Sequence, residues 1–342
     1  WSLGEVICKL LNVFLLFSPH KNLIPHKVFI LSFLLASATY AQEGNVPDAV
    51  EYQALVDLYN ATDGPNWTDN TNWLNGTTNT DFATWHGVTV ENGDVIHITL
   101  IDNNLIGNLP GSLGNFISLL SIQLIDNQLS GDIPPTLGDL IGLQTLNLTG
   151  NNFSGNIPNE LGSLVNLNYL SLANNQLSGS IPPSFGSFNN INSINLSNNQ
   201  LIGEVPIELN ALSDIGLTLH NNSLSGNFPF LPNLSGLTLS NNRISGFPDY
   251  SSVSMDVIWL EENQLDFGDL EPNFNGPGSP YISNFTYSPQ TEIGEEQNLA
   301  FVLGAPFDIP FTTGGTRNFY QWQKKDAQDV WQDISGATAS DF

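Results

Sequence analysis

The sequence predicts an α/β-type repeat solenoid, in which short parallel strands stack into one sheet. The main observation is a series of asparagines, the first five of which are spaced at equal steps of 24 residues. A fixed period in the twenties is typical of solenoid proteins, where each repeat packs only on its neighbours. The asparagines of this series are Asn103, Asn127, Asn151, Asn175, Asn199, Asn222, Asn242 and Asn263.

Each asparagine follows a segment in which apolar and polar residues alternate, as in a β-strand. Leu170 and Leu172, for example, alternate with a serine and an alanine. Eight such strands, stacked in parallel at roughly 4.8 Å, make a sheet on the order of 35–40 Å long. A side-chain amide both donates and accepts hydrogen bonds, so we expect the asparagines to form a ladder that satisfies backbone groups turned away from water. The Gly-x-Ile-Pro phrase that follows is expected to build the outer wall.

The residues before the repeats are expected to cover the open end of the stack. Residues 47–60 have apolar side chains at helical spacing and are followed by turn residues. The predicted buried face of this helix contains Val50, Leu55, Leu58 and Tyr59. Three tryptophans follow, namely Trp67, Trp73 and Trp85. Aromatic side chains in such a flank most simply shield the apolar core of the first repeat; a sugar-binding aromatic cluster is the alternative.

Two stretches of this flank, EYQALVDLYNATDGPNWTDNTNWL and TWHGVTVENGDVIHITL, resemble plant-type leucine-rich-repeat proteins, as does the repeat phrase L-x-x-L-x-L-x-x-N-x-L-x-G-x-I-P. The resemblance implies a horseshoe with a parallel sheet on its concave side and a helical N-terminal cap. Plant extracellular members usually have cysteines around the W-x-G-V core, where this chain has Ala83 and Val90. This departure favours the cysteine-free version of secreted bacterial proteins of the Bacteroidetes type.

The two ends of the chain lack the repeat pattern. The apolar run at 28–38 follows Lys27 and ends in small residues, which predicts a secretory signal peptide cleaved after Ala41, with a retained signal anchor as the alternative. Near the other end, Trp322 stands in a phrase that resembles the middle of an immunoglobulin-like domain, and the remaining length predicts only a partial β-sandwich. The predicted organisation is 1–41 for the signal peptide and upstream residues, 42–94 for the N-terminal cap, 95–271 for eight leucine-rich repeats, 272–289 for a linker and 290–342 for an incomplete immunoglobulin-like domain.

Composition excludes several functions. The chain has 7 Lys and Arg against 33 Asp and Glu, a formal net charge of −26. Such a field repels nucleic acid and anionic membrane, so we expect neither as a partner and no membrane insertion of the mature chain. Cys8 is the only cysteine and precedes the predicted cleavage site, which excludes a disulfide framework or cysteine nucleophile after cleavage. G-x-S-x-G, H-E-x-x-H and phosphate-loop motifs are missing from the sequence, so we expect no enzyme activity, metal or cofactor.

The residues that flank the inward leucines are expected on the concave surface, the usual binding face of the family that the sequence resembles. Trp259 is the sharpest candidate because aromatic anchors dominate interface energies; packing against a following domain is the alternative. His220 alone is more often a surface histidine than a metal ligand. The candidate ligand-binding residues are Trp259, Glu261, Glu262, His220, Tyr169, Asp102 and Asp126.

These observations predict a secreted or cell-surface binding or adhesion module that recognises a protein or a polysaccharide through its concave face, without catalysis. Two alternatives stay open at this point. One is a non-catalytic arm of a larger secreted enzyme, and the other is a plant-type receptor ectodomain.

Overall fold

The computed structural model describes most of the chain from the N-terminal helix to the last repeat. The described residues are 49–74, 82–250, 253, 255–265, 269, 282–286, 323–325 and 331–333. The predicted signal peptide therefore lies outside them. Within these ranges, no helix has both the length and the apolar character that crossing a membrane requires.

One α-helix, α1, spans Ala49–Ala61 ahead of the repeats. Leu55 and Leu58 are fully buried, which confirms them as core residues of the cap. The placement of Val50 on the buried face is wrong, because this side chain is 50% exposed. Its neighbour Glu51 takes the inward position instead, where the carboxylate accepts a hydrogen bond from the Val95 backbone N–H at 2.9 Å.

An aromatic cluster lies between α1 and the first repeat. Trp67, Trp73 and Trp85 are each 5% exposed or less. The ring centroid of Trp73 lies 4.8 Å from that of Trp67 and 4.7 Å from that of Trp85. The adjoining loop is joined to the first repeat by a hydrogen bond from the Thr68 N–H to the Asn103 carbonyl at 3.0 Å. These tryptophans therefore shield the apolar core and do not form an exposed platform for sugars.

Short strands follow α1 along the described chain. In chain order they are β1 (Val88–Glu91), β2 (Asp94–Thr99), β3 (Ile106–Asn108), β4 (Ser121–Gln123), β5 (Gln128–Asp132), β6 (Thr145–Asn147), β7 (Asn152–Ser154), β8 (Tyr169–Ser171), β9 (Ser193–Asn195), β10 (Ile202–Gly203), β11 (Ile215–Thr218), β12 (Ser223–Asn227), β13 (Leu234–Thr238), β14 (Arg243–Gly246), β15 (Met255–Trp259), β16 (Ile282–Thr286), β17 (Gln323–Lys325) and β18 (Trp331–Asp333).

The main sheet has the strand order β1-β2-β4-β6-β8-β9-β11-β13-β15-β16. The first pair is antiparallel, and the pairs from β2 to β16 are parallel. Each of the eight strands of the main sheet from β2 to β15 precedes one of the eight repeat asparagines, Asn103 to Asn263. The parallel sheet that the repeat pattern predicts is thus confirmed, and its strands form the concave side of a horseshoe-like solenoid.

The outer side of the repeats carries two parallel ladders, β3-β5-β7 and β10-β12-β14. Several repeats then continue into a 3₁₀ helix that begins directly after a proline, whose fixed φ suits a helix start. These helices are Gly111–Asn115, Pro135–Asp139, Asn159–Ser163, Pro183–Ser187 and Ile207–Ala211. Within 222–250 no further 3₁₀ helix follows, in agreement with the shorter outer segment of the late repeats.

The apolar core lies between the main sheet and these outer segments. In one repeat, Leu167, Leu170, Leu172 and Leu177 are all fully buried, and the equivalent residues of the other repeats continue the same layers. Burial of each such leucine contributes about 1.5–3 kcal/mol. Stacking the repeats buries a face that a single repeat would expose to water, so the repeats stabilise one another.

One further strand joins the main sheet after the last repeat. Strand β16 lies inside residues 272–289, which the sequence assigned to a linker, and it pairs in parallel with β15. The edge of β15 offers backbone donors and acceptors that an added strand satisfies. Strands β17 and β18 pair antiparallel. The immunoglobulin-like domain itself stays a prediction, because Trp322 and most of 290–342 lie outside the described residues.

Candidate functional site

The register of the main sheet arranges the concave side chains in rows that cross the strands. The first row contains His97, Ser121, Thr145, Tyr169, Ser193, Gly216, Gly236 and Val257. The second row contains Thr99, Gln123, Asn147, Ser171, Asn195, Thr218, Thr238 and Trp259. Small polar side chains fill most of the middle, so larger groups stand mainly towards the ends.

Trp259 is an aromatic side chain at the C-terminal end of the second row. It pairs with Thr238 across β15 and β13, and 39% of it is exposed. Two residues further on, Glu261 lies on the same side of the chain, as the period of a strand requires. Its carboxylate accepts a hydrogen bond from the Ser240 hydroxyl at 2.5 Å. An apolar anchor and a positioned negative charge therefore lie side by side.

His220 follows the end of β11, which is separated from β15 by β13 in the sheet. Its Nδ1 is 3.2 Å from the hydroxyl oxygen of Thr238. Burial lowers the pKa of His220 from its ordinary value, because loss of water disfavours the charged imidazolium. The shift favours the neutral imidazole over the charged form. We call this group the terminal cluster, which consists of Trp259, Glu261, His220, Thr238 and Ser240.

The other predicted ligand-binding residues lie away from the terminal cluster. Tyr169 is half-buried on β8, in the middle of the first row. Asp102, Asp126 and Glu262 have left-handed backbone, with φ of 49°, 53° and 56°, and occupy the turn that follows a strand. The strands β2 and β15 are separated by seven spacings of roughly 4.8 Å, or about 34 Å. One small ligand therefore cannot contact both Asp102 and the terminal cluster.

The repeat asparagines make structural hydrogen bonds beneath this surface. The Oδ1 of Asn151 accepts from the Leu129 N–H at 3.0 Å, and its Nδ2 donates to the carbonyls of Leu124 and Leu148 at 2.8 and 3.1 Å. The same pattern recurs from one repeat to the next. Asn103, at the start of the series, bonds the loop of the cap instead.

The acidic loop of the cap is held by its own hydrogen bonds. Asp63 accepts from the Asn66 amide at 3.0 Å, and Asp69 accepts from the Thr71 N–H at 2.9 Å. Hydrogen bonds from Thr71 and the nearby His86, whose Nδ1 is 3.2 Å away, lower the pKa of Asp69. In the described part of the chain, no group of three or more His, Cys, Asp or Glu residues is arranged to hold a metal ion.

Comparison with known proteins agrees with the geometry of the repeats. A family model described as Leucine Rich Repeat matches residues 142–164, 166–188 and 190–212. The fold is a leucine-rich-repeat solenoid. A comparison with curated proteins gives no match.

This leucine-rich-repeat solenoid is similar to solved plant receptor ectodomains. The crystal structure of PEPR1–AtPEP1 is 24% identical, with a TM-score of 0.58, and the match covers 65% of this chain and 33% of that chain. The ectodomain of the receptor kinase GASSHO1/SCHENGEN3 from Arabidopsis thaliana, solved in complex with CASPARIAN STRIP INTEGRITY FACTOR 2, is 28% identical. Its TM-score is 0.51, and the match covers 64% of this chain and 30% of that chain. A TDR receptor is 27% identical with a TM-score of 0.50, over 57% of this chain and 36% of that one. This chain thus spans about a third of the length of these proteins.

Several residues at the C-terminal end of the leucine-rich repeats were not predicted as ligand-binding residues from the sequence. They include the hydroxyl residues Thr238 and Ser240, and the glycines Gly216 and Gly236 of the first row. A signal for the glycines was present. Hydroxyl-bearing residues occupy the same position in the four preceding repeats, and two consecutive repeats then lack any side chain there.

Proposed function

We propose that this protein is a non-catalytic extracellular binding module that recognises a partner protein through the concave side of its leucine-rich repeats. The observation that carries the proposal is the terminal cluster. Trp259 is 39% exposed there, beside the hydrogen-bonded carboxylate of Glu261. Aromatic anchors next to positioned polar groups supply much of the affinity at protein interfaces.

Two further observations support this proposal. The GASSHO1/SCHENGEN3 ectodomain was solved with a second molecule, CASPARIAN STRIP INTEGRITY FACTOR 2, which favours a protein partner over a small metabolite. The predicted signal peptide favours an extracellular location. Under this proposal the chain serves in adhesion or recognition at the cell surface.

A polysaccharide is the second candidate ligand. The observation that favours it is the middle of the second row, where the half-buried amide side chains of Asn147 and Asn195 stand on either side of the buried Ser171. Such side chains both donate and accept hydrogen bonds, as the hydroxyls of a sugar require.

Arrays of surface proteins and of glycans, probed with the full chain, test the proposal. Trp259→Ala is compared with Ile207→Ala, which removes a 51% exposed apolar side chain from an outer 3₁₀ helix. We expect Trp259→Ala to weaken the detected protein interaction at least tenfold and Ile207→Ala to leave it unchanged. Equal binding by both variants contradicts the proposal, and binding to glycans alone selects the polysaccharide.

A further inference from the structure

Two glycines in the first row open a shallow groove beside the terminal cluster. Gly216 of β11 pairs with Gly236 of β13, and they lie between Ser193 of β9 and Val257 of β15. Tyr169 of β8 stands on the far side of Ser193. We call this depression the glycine groove. Its floor is formed by Ser193, Gly216 and Gly236, and its walls are the side chains of Tyr169 and Val257.

The fold does not require glycine at Gly216. The glycines that need a left-handed backbone have positive φ, and neither Gly216 nor Gly236 belongs to that set. A Cβ atom at Gly216 would approach no atom outside its own chain neighbours more closely than 3.8 Å, the distance to the Asn192 carbonyl oxygen. By contrast, a Cβ at Gly138 in an outer helix would collide with the carbonyl oxygen of Glu160. Close packing therefore requires glycine at position 138, whereas it does not require glycine at position 216.

Glycine inside a strand weakens the sheet, because it loses more conformational freedom on folding and packs no side chain. Such a residue commonly marks a place where a ligand or another backbone approaches closely. At Gly236 a Cβ would lie 3.1 Å from the Val257 side chain, so space is tighter there. The pair in adjacent strands, with Gly216 free of any steric demand, indicates a floor of bare backbone kept open for contact.

A cavity of about 690 Å³ opens next to the glycine groove, at the amino ends of β11, β13 and β15. Its lining includes Asp214 and Asp256, each within two residues of a groove position. Phe230, which is 44% exposed, and the buried Met255 add apolar surface. This volume lies in the range of ligand sites in proteins, which combine apolar walls with a few polar groups.

The cavity favours a positive charge. Asp214 and Asp256 are exposed carboxylates, and among the described residues neither takes part in an ion pair. Arg243 is the only Lys or Arg in the sequence between residues 49 and 265, and it lies on β14 of the outer ladder rather than on the main sheet. A cationic side chain from a partner would meet two carboxylates and an aromatic ring, Phe230, both of which attract it.

We propose that the glycine groove binds an extended segment of the partner protein, and that an arginine or lysine side chain of this segment enters the cavity lined by Asp214 and Asp256. This inference rests on the proposed function and adds the position and the chemistry of the contact. The bare floor lets a second main chain approach closely. The four strand spacings from Tyr169 to Val257, about 19 Å, accommodate about five or six extended residues.

A display library of random linear peptides, selected on the immobilised full chain, tests the proposal without a known partner. We expect enrichment of peptides that share one arginine or lysine at a fixed position. The affinity of a selected peptide is then measured by fluorescence anisotropy for Gly216→Ala, Asp214→Asn and a control. Asparagine tolerates the left-handed backbone of Asp214, whose φ is 53°, so Asp214→Asn removes charge and preserves the turn.

Gly142→Ala is the matched control. A Cβ at Gly142 also approaches no atom outside its own chain neighbours more closely than 3.7 Å, its φ is not positive, and it lies outside the glycine groove. We expect Gly216→Ala and Asp214→Asn each to weaken the peptide at least tenfold, and Gly142→Ala to leave the affinity unchanged. Thermal melting of both alanine variants should match or exceed that of the wild type, because alanine restricts the unfolded chain more than glycine does.

Three outcomes would each refute binding in the glycine groove. The selected peptides have no basic residue, the selection enriches no peptide, or Gly216→Ala binds the peptide with wild-type affinity. The two proposals fail separately. A peptide that is lost with Trp259→Ala and unaffected by Gly216→Ala and Asp214→Asn leaves the concave-side function standing and refutes the groove. If the affinity of the peptide is unchanged by all three substitutions, both the concave-side function and the glycine groove are refuted.

Discussion

Replacing Asn151 with alanine measures what the asparagine ladder contributes to stability. Its side chain accepts a hydrogen bond from the Leu129 N–H and donates to the carbonyls of Leu124 and Leu148. Both carbonyls retain another amide donor after the substitution, at 3.2 Å from the preceding ladder asparagine and 3.0 Å from the following one. The Leu129 N–H therefore bears the main loss, since its acceptor disappears.

The magnitude follows from this single donor. A buried N–H without an acceptor costs about 1–3 kcal/mol, and Asn151 is only 7% exposed, so water does not readily replace the amide. At roughly 2–4 °C per kcal/mol, the value for a folded unit of about 150–250 residues such as the repeats with their cap, the melting temperature should fall by roughly 2–12 °C.

Denaturant titration followed by far-UV circular dichroism measures the loss of unfolding free energy. The control is Asn152→Ala, the next residue, which is exposed and whose Oδ1 accepts a bond from Gln176 at 3.3 Å on the surface. Hydrogen exchange at the Leu129 amide should also become faster in Asn151→Ala. A loss no larger than that of Asn152→Ala, together with unchanged exchange at Leu129, refutes the ladder argument.

Three further substitutions test other parts of the structure. Gly64→Ala should loosen the cap and reduce the near-UV circular dichroism of the tryptophan cluster, because a Cβ there collides with the ring of Tyr59. Tyr250→Phe should cost about 1–3 kcal/mol in a denaturant titration, because the buried Leu231 N–H loses its acceptor at 2.9 Å. Burial raises the pKa of Tyr250 to about 12, so the stability from this hydroxyl is present below pH 10.0 and lost as the pH rises towards 12. The pKa of His220 is lowered, so its contribution to stability is complete above pH 6.5 and is lost as the pH falls below that value. His220→Asn removes this titration. Its unfolding midpoint should therefore change less than that of the wild type between about pH 7.5 and 5.5.

Each of these three predictions has an outcome that would contradict it. A wild-type near-UV spectrum in Gly64→Ala, with Gly142→Ala as control, would show that the cap accommodates the methyl group. If Tyr250→Phe is as stable as the wild type at neutral pH, the hydrogen bond between the Leu231 N–H and the Tyr250 hydroxyl does not contribute to the free energy of unfolding. Equal acid sensitivity of His220→Asn and the wild type would assign the loss of stability to other groups.

The repeat pattern was sufficient for the solenoid and for most of its core. The inward leucines and the asparagines have one sterically consistent arrangement, because side chains alternate along a strand and equivalent residues stack in register. Strand β16 was not predictable in the same way. Strand β16 contains no repeat phrase, and it joins the sheet through backbone groups that any extended segment possesses.

The cap illustrates a second limit of sequence reasoning. Helical spacing alone placed Val50 on the buried face, yet the inward position belongs to Glu51, which is 2% exposed. A carboxylate is buried there because strand β2 offers it the Val95 N–H, a partner that is 44 residues away in the sequence. A hydropathy pattern along the helix does not contain information on such a distant hydrogen-bond partner.

The sequence by itself determined the fold class, the eight parallel strands and the position of the aromatic cap, because each depends on local periodicity and on residues that recur at a fixed step. Only the tertiary structure decided which free residues meet. The register brings Ser240 to the carboxylate of Glu261 and sets Gly216 beside Gly236, residues that lie about twenty positions apart in the chain. It also leaves Asp102 on the order of 34 Å from Trp259, because every intervening strand adds one fixed spacing.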